Sequence, residues 1–210
     1  MNKQEILKLY YSQYQLLEKR LIELSEYVTI HPSNYSTFSQ QFISIFLSIC
    51  SEIDSLLGEF CKIIQPDNKK TFTIADKIKI IISEYPNLKN LRVQTKFPFE
   101  TIDLVPFAKY KPNNKEEQEF SEWWWSDYNK VKHNRTEKTK NKRHNNQTEQ
   151  PENGRQTEQS QNIRYNYQKA NLKNVLNSIA ALYIIILKFH EAINSNMNIE
   201  SNLFYNQIIG

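Results

Sequence analysis

Residues 35–64, YSTFSQQFISIFLSICSEIDSLLGEFCKII, decide how this chain folds. Phe38, Phe42, Ile45, Phe46, Ile49, Ile53, Leu56, Leu57, Phe60 and Ile64 recur at steps of three and four, the period of a helix and not of a strand. Apolar side chains cover much of the helix circumference, which places this helix at the centre of a bundle rather than on its surface. Pro66-Asp67-Asn68 ends it.

Working outward, Ile6, Tyr10, Tyr14, Leu17, Leu21, Leu24 and Val28 form a preceding amphipathic stripe that Pro32 stops. After the central helix, Thr73 is the expected N-cap of a shorter helix carrying Ile74, Ile78, Ile81 and Ile82 and ending before Pro86. Residues 88–112, with Pro98, Pro106 and Pro112, read as an ordered connector containing a short hairpin. A fourth helix is predicted over about 115–135 and a last one over about 167–193, with Leu172, Val175, Leu176, Ile179, Tyr183, Ile186 and Leu187 facing the core. The expected fold is therefore all-α: a single domain, 1–210, built as an antiparallel bundle of four long helices plus one short.

One segment stands apart. Residues 136–162 contain no apolar side chain, and Gln147-Thr148-Glu149-Gln150 returns as Gln156-Thr157-Glu158-Gln159. Such composition offers nothing to bury against the entropy of ordering, so it is expected to be a disordered insertion between the last two helices.

Composition narrows the chemistry. Apolar residues make up 39% of the chain, enough for a core, and the net charge of +4 is too mild to mark a nucleic-acid binder as a whole. The charge is concentrated, however. Lys130, Lys132, Arg135, Lys138, Lys140, Lys142 and Arg143 face one acid, Glu137, which is either a binding patch or a solvated charge run. The start of the chain lacks an apolar leader, and the most apolar run, 179–187, is shorter than the ~20 residues of a membrane span. A cytoplasmic protein with no membrane partner is expected. Cys50 and Cys61, eleven apart on one helix, would lie ~16 Å apart, beyond the ~7 Å a disulfide tolerates, so both are expected as free thiols.

Several enzyme classes drop out. Gly58, Gly154 and Gly210 are the only glycines, which excludes a Walker loop, a dinucleotide fingerprint and a nucleophile elbow. His31, His133, His144 and His190 form no H-x-x-x-H pair and there is no C-x-x-C, so neither a metal nor a cofactor is expected.

What remains is the fourth helix. Asn129 and His133, four apart, share a face, with Lys132 and Arg135 close by and Tyr128 alongside. An imidazole that exchanges protons near neutral pH, an amide and two cations suit phosphate chemistry such as RNA cleavage. The same residues would equally serve as helix-to-helix hydrogen bonds and solvated lysines.

The run Trp124-x3-Tyr128-Asn129-x2-Lys132-His133-x-Arg135, followed by Asn171-Leu172-x-Asn174-Val175-Leu176-Asn177-x-Ile179-Ala180-Ala181-Leu182, resembles the HEPN superfamily. More narrowly, it resembles HEPN-like proteins found near bacterial abortive-infection and defence systems. That resemblance implies a bundle of four main helices, usually dimeric, and in active members a metal-independent endoribonuclease. It places Asn129 and His133 at the polar and histidine positions, with Lys132 and Arg135 as cations. The arginine expected five residues before His133 is Tyr128 here. RNA, a second copy of the chain and an antitoxin or other defence-system protein are the partners it implies.

Two further features bear on the site. Glu52 and Asp54 interrupt the apolar central helix and need partners, for which Lys132, His133 or Arg135 are candidates. Trp123-Trp124-Trp125 spans too wide an arc for all three to face one core, so Trp123 or Trp124 is expected at an interface unless Pro98, Phe99 and Phe107 of the connector cover them. The first functional reading is a metal-independent endoribonuclease acting through His133 at a dimer interface. The alternative is a HEPN-like module without catalysis that binds RNA or protein.

Overall fold

The computed structural model describes residues 1–68, 70–96, 101–108, 124–139 and 164–205. Among these the chain is mostly helical: α1 (Lys3–Leu24), α2 (Gln40–Ile64), α3 (Ile74–Glu84), α4 (Trp124–His133) and α5 (Leu172–Ala192). Three are long. α3 and the described part of α4 are short, and the predicted first turns of the fourth helix, 115–123, lie outside the described residues.

Local chemistry sets the helix starts. Asn2 and Glu5 form a reciprocal capping box on α1, and Thr73 and Asp76 form another on α3. Ser39 caps α2 through the Phe42 amide, and Asn171 caps α5 through that of Asn174. α2 therefore begins five residues later than its apolar pattern suggests, because Phe38 instead bridges Asn171 in an extended segment. α5 likewise begins at Leu172, after a 3-10 turn at Asn166–Lys169. Its other end closes at Asn194, whose φ of 50° is the left-handed conformation that stops a helix.

α2 and α5 pack against each other as the middle of the bundle, with α1 lying across both, α3 against α2, and α4 against both central helices. Ile45, Phe46, Ile49, Ile53 and Leu56 of α2 and Val175, Ile179, Tyr183 and Ile186 of α5 are completely buried. Both central helices are long and apolar enough to cross a membrane by length and composition, and 72% of α5's apolar window is covered by the rest of the chain. Cys50 and Cys61 are buried free thiols, as their spacing requires, and burial pushes the Cys61 thiol up to about 11.

The connector contains the expected hairpin in miniature: β1 (Val93–Gln94) pairs antiparallel with β2 (Asp103–Leu104). The sequence reading assigned no structure to the residues after α5. They form a strap, 195–205, running back over α1 and along β1. The Lys96 amide donates to the Leu203 carbonyl at 2.8 Å and the Tyr205 amide to the Gln94 carbonyl at 2.9 Å, which extends the hairpin by a third short segment.

Candidate functional site

α4 is amphipathic in an unusual way, with aromatic residues inside and cations outside. Trp124, Trp125, Tyr128 and Val131 are buried. The Trp124 indole donates to the Pro106 carbonyl at 2.9 Å, Trp125 packs on Tyr128 with centroids 4.8 Å apart, and Tyr128 meets Phe46 of α2 edge-on at 6.2 Å. Of the two expectations for Trp124, an interface or cover by the connector, the structure shows the second. Trp124 belongs to the core of its own chain, covered by the connector, and offers no surface to a partner. Trp123, Pro98 and Phe99 lie outside the described residues.

The opposite face carries the candidate residues. Asn129, Lys132 and His133 are all exposed, and Arg135 follows immediately after the helix. Neither the Asn129 amide nor the His133 ring makes a hydrogen bond to another described residue. Lys132 places its ammonium 5.5 Å from the centre of the Tyr128 ring, and the Arg135 Nε–H donates to the Val131 carbonyl at 3.3 Å. Lys130, Lys132 and His133 crowd the last turn, where the carbonyl end of the helix favours positive charge. Together they make a basic corner among the described residues.

Asp127 holds α4 in place. Its carboxylate lies 2.9 Å from the Lys169 ammonium and 3.6 Å from that of Lys130, and it accepts from the Asn174 side-chain amide at 2.9 Å. The Asn174 amide also donates to the Lys169 carbonyl at 2.8 Å. α4 is thus tied to the first turn of α5 and to the 3-10 turn before it. Asp127 and Lys169 were not singled out from sequence, and Asn174 entered only as part of the α5 motif. The three-residue spacing of Asp127 and Lys130 was the only local signal.

Beyond His133 the chain remains ordered for several residues. The Tyr167 amide donates to the Arg135 carbonyl at 3.0 Å, Asn166 to Glu137 at 2.9 Å, and Thr139 to Arg164 at 2.7 Å. Buried Asn166 also donates from its side chain to the Asn134 carbonyl at 3.0 Å. Residues 136–139, assigned to the insertion from composition, are therefore paired. Backbone hydrogen bonds hold them where side-chain burial cannot. The rest of the insertion, 140–162, lies outside the described residues.

The two acids of α2 do not join the corner. Asp54 sits 2.7 Å from the Lys77 ammonium of α3, which also donates to the Asp54 carbonyl. Glu52 is half-buried and forms no ion pair among the described residues. Burial raises its carboxyl, and its charge is felt by Tyr10 of α1. The expected pairing of these acids with Lys132, His133 or Arg135 is not made, because the register of α2 turns them toward α3 and α1. Among the described residues no three His, Cys, Asp or Glu side chains gather in a way that would hold a metal.

Comparison with protein-family models, with curated proteins and with solved structures returned no match to this chain.

Proposed function

We propose that this chain is a HEPN-like, defence-associated protein of the cytoplasm that cleaves RNA without a metal, through His133, at a site completed by a second copy of the chain. The observation that carries the reading is the outer face of α4, where Asn129, Lys132 and His133 are exposed together beside Arg135 and no described residue hydrogen-bonds to the imidazole. A histidine retained to tie helices together would be buried and bonded. This one is available to solvent and to ligand. In the proposed reaction the ribose 2′-oxygen attacks the adjacent phosphorus and the 5′-oxygen leaves. His133 takes the 2′-hydroxyl proton or supplies one to the leaving oxygen, Lys132 and Arg135 hold the phosphate, and Asn129 orients it. The four-long-helix HEPN architecture belongs to the same reading. So does a restraining antitoxin or other defence partner protein.

A second reading is favoured by Tyr128. At the position where the resemblance expects arginine, its side chain is buried against Phe46 and Trp125, so no cation reaches the surface there. On that reading the same corner binds RNA or protein without cutting.

The test is to incubate wild type and His133→Ala, matched in helicity and thermal stability, with labelled structured RNA in EDTA. Cleavage by wild type alone, leaving cyclic-phosphate ends, is the expected result. RNA bound but left intact by both proteins would overturn the nuclease and leave the binding module.

A further inference from the structure

Beside the basic corner lies an aromatic ladder. The rings of Tyr165 and Tyr167 stack with centroids 5.9 Å apart and only 10° between their planes, and Phe38 meets Tyr167 edge-on at 5.6 Å. Phe38 is 40% exposed, a large apolar ring left on the surface, while Tyr165 and Tyr167 are half-buried. The ladder is built on the backbone pairing already described. Lys138 bridges Tyr165, and Tyr167 bonds to Arg135, two residues beyond His133.

Two separate chain segments are brought together to make it. Phe38 arrives from the loop before α2, held by its bridge to Asn171. The tyrosines arrive from the segment before α5, Tyr165 as the extended residue that bridges Lys138 and Tyr167 inside the 3-10 turn Asn166–Lys169 that follows it. Among the described residues the exposed charges around the ladder are mostly positive: Lys132, Arg135, Lys138, Arg164 and Lys173, against Glu137. A core cluster has no need of such a rim, and a protein-facing apolar patch would be weakened by it. Flat rings interleaved with cations match one kind of ligand, a polyanion that carries flat rings of its own.

We infer that Phe38, Tyr167 and Tyr165 form a stacking platform for unpaired RNA bases, with Arg135, Lys138 and Arg164 holding the backbone that leads toward His133. The inference rests on the proposed RNA-directed function and narrows its substrate to single strands. In a duplex the bases are already stacked on each other and present only edges and phosphates, so the platform has nothing to grip.

The experiment measures binding of a fluorescent 2′-O-methyl oligouridylate, which lacks the attacking hydroxyl, as a single strand and annealed to its 2′-O-methyl oligoadenylate complement. Wild type, Tyr165→Ala, Tyr165→Phe and Tyr165→Trp are compared in the full chain, each first checked for an unchanged melt. Wild type should prefer the single strand. Tyr165→Ala should lose about tenfold in affinity for it, the effect of one missing stack, while Phe and Trp retain binding. Single-strand binding unaffected by Tyr165→Ala, or equal binding of the duplex, would overturn the platform while leaving a basic RNA face. No binding of either RNA would overturn the RNA-directed function itself.

Discussion

The carboxylate of Glu18 on α1 accepts the backbone amide of Leu203 at 3.0 Å, joining the first helix to the strap at the far end of the chain. The same carboxylate accepts from the Tyr14 hydroxyl at 2.7 Å, from the Ser201 hydroxyl and from the Asn202 side chain at 3.3 Å. Glu18 is only 1% exposed, and its partners are hydroxyls and amides rather than cations. A buried carboxylate is tolerable here because it accepts from every direction. Glu18→Ala strands several buried donors at once and should cost about 3 kcal/mol. Glu18→Gln turns an amide donor toward other donors and should cost somewhat less. Urea unfolding measures both, and a loss below about 0.5 kcal/mol would show that the strap does not depend on this carboxylate.

The same cluster sets a response to high pH. Tyr183 of α5 stacks on Tyr14 with centroids 5.2 Å apart, and burial first, then the Glu18 charge, pushes its hydroxyl up to about 12. The folded state therefore keeps a proton that the unfolded chain releases near 10. Stability should fall as pH climbs from 10 toward 12, by about 1–2 kcal/mol from this residue, and Tyr14 acts in the same direction. Tyr183→Phe should flatten the fall between those values in urea melts taken at stepped pH. An unchanged slope would assign the fall to other groups.

Next to the exposed face of α4, Asp127 tethers the helix to Lys169 and Asn174. Asp127→Asn keeps an acceptor for Asn174 and loses the charge opposite Lys169, and should cost about 1 kcal/mol. Asp127→Ala removes both and should cost about 2 kcal/mol. Whatever RNA activity wild type shows should fall with Asp127→Ala and largely survive in Asp127→Asn. Equal loss in both would mean that the negative charge itself, not the tether, matters.

Much of the bundle was legible because its signals are local. The period of Phe42 to Ile64 marks α2, and Thr73 with Asp76 marks the start of α3 within three residues. The basic character of the α4 face was legible for the same reason, since Asn129, Lys132 and His133 are neighbours on one helix. What escaped depends on contacts far apart in sequence. Glu18 looks like an ordinary surface acid of an amphipathic helix until Ser201 and Leu203 close over it. Asp54 pairs with Lys77 because α3 packs on that side of α2, which no spacing within α2 reveals. Tyr165 and Tyr167 become a ladder with Phe38 only when residues 35–39 lie beside the start of α5.

Tyr128 invites a direct trial of the motif. Tyr128→Arg would restore the arginine that the HEPN resemblance expects, but the side chain it replaces is 5% exposed and packed on Phe46 and Trp125. Among the described residues no acid is free to receive a guanidinium there, since Asp127 is engaged by Lys169. The substitution should destabilise the fold by about 3 kcal/mol and confer no gain in cleavage, whereas Tyr128→Phe should be close to neutral. A stable Tyr128→Arg protein with raised nuclease activity would show that α4 rotates enough to bring this position to the surface.

The pairing of 136–139 with 164–167 makes a further prediction about the low-complexity segment. Thr139 and Arg164 are an antiparallel pair, the Thr139 amide donating to the Arg164 carbonyl at 2.7 Å, so their main chains are close enough for a two-residue turn. Replacing 140–163 by Asn-Gly, which favours the tight turn that suits paired strands, should leave a cooperative melt within a few degrees of wild type. Deleting 136–162 instead removes Glu137 and Thr139, the partners of Asn166 and Arg164, and detaches the tyrosine segment from the end of α4. That deletion should broaden the melt and abolish any RNA binding even if α1, α2 and α5 stay folded. Circular dichroism melts of the two shortened chains, read beside their RNA affinities, check the contrast. If the Asn-Gly chain binds RNA as wild type does, the segment 140–163 is dispensable to the site, and the working residues are those on α4 and the paired strands that follow it.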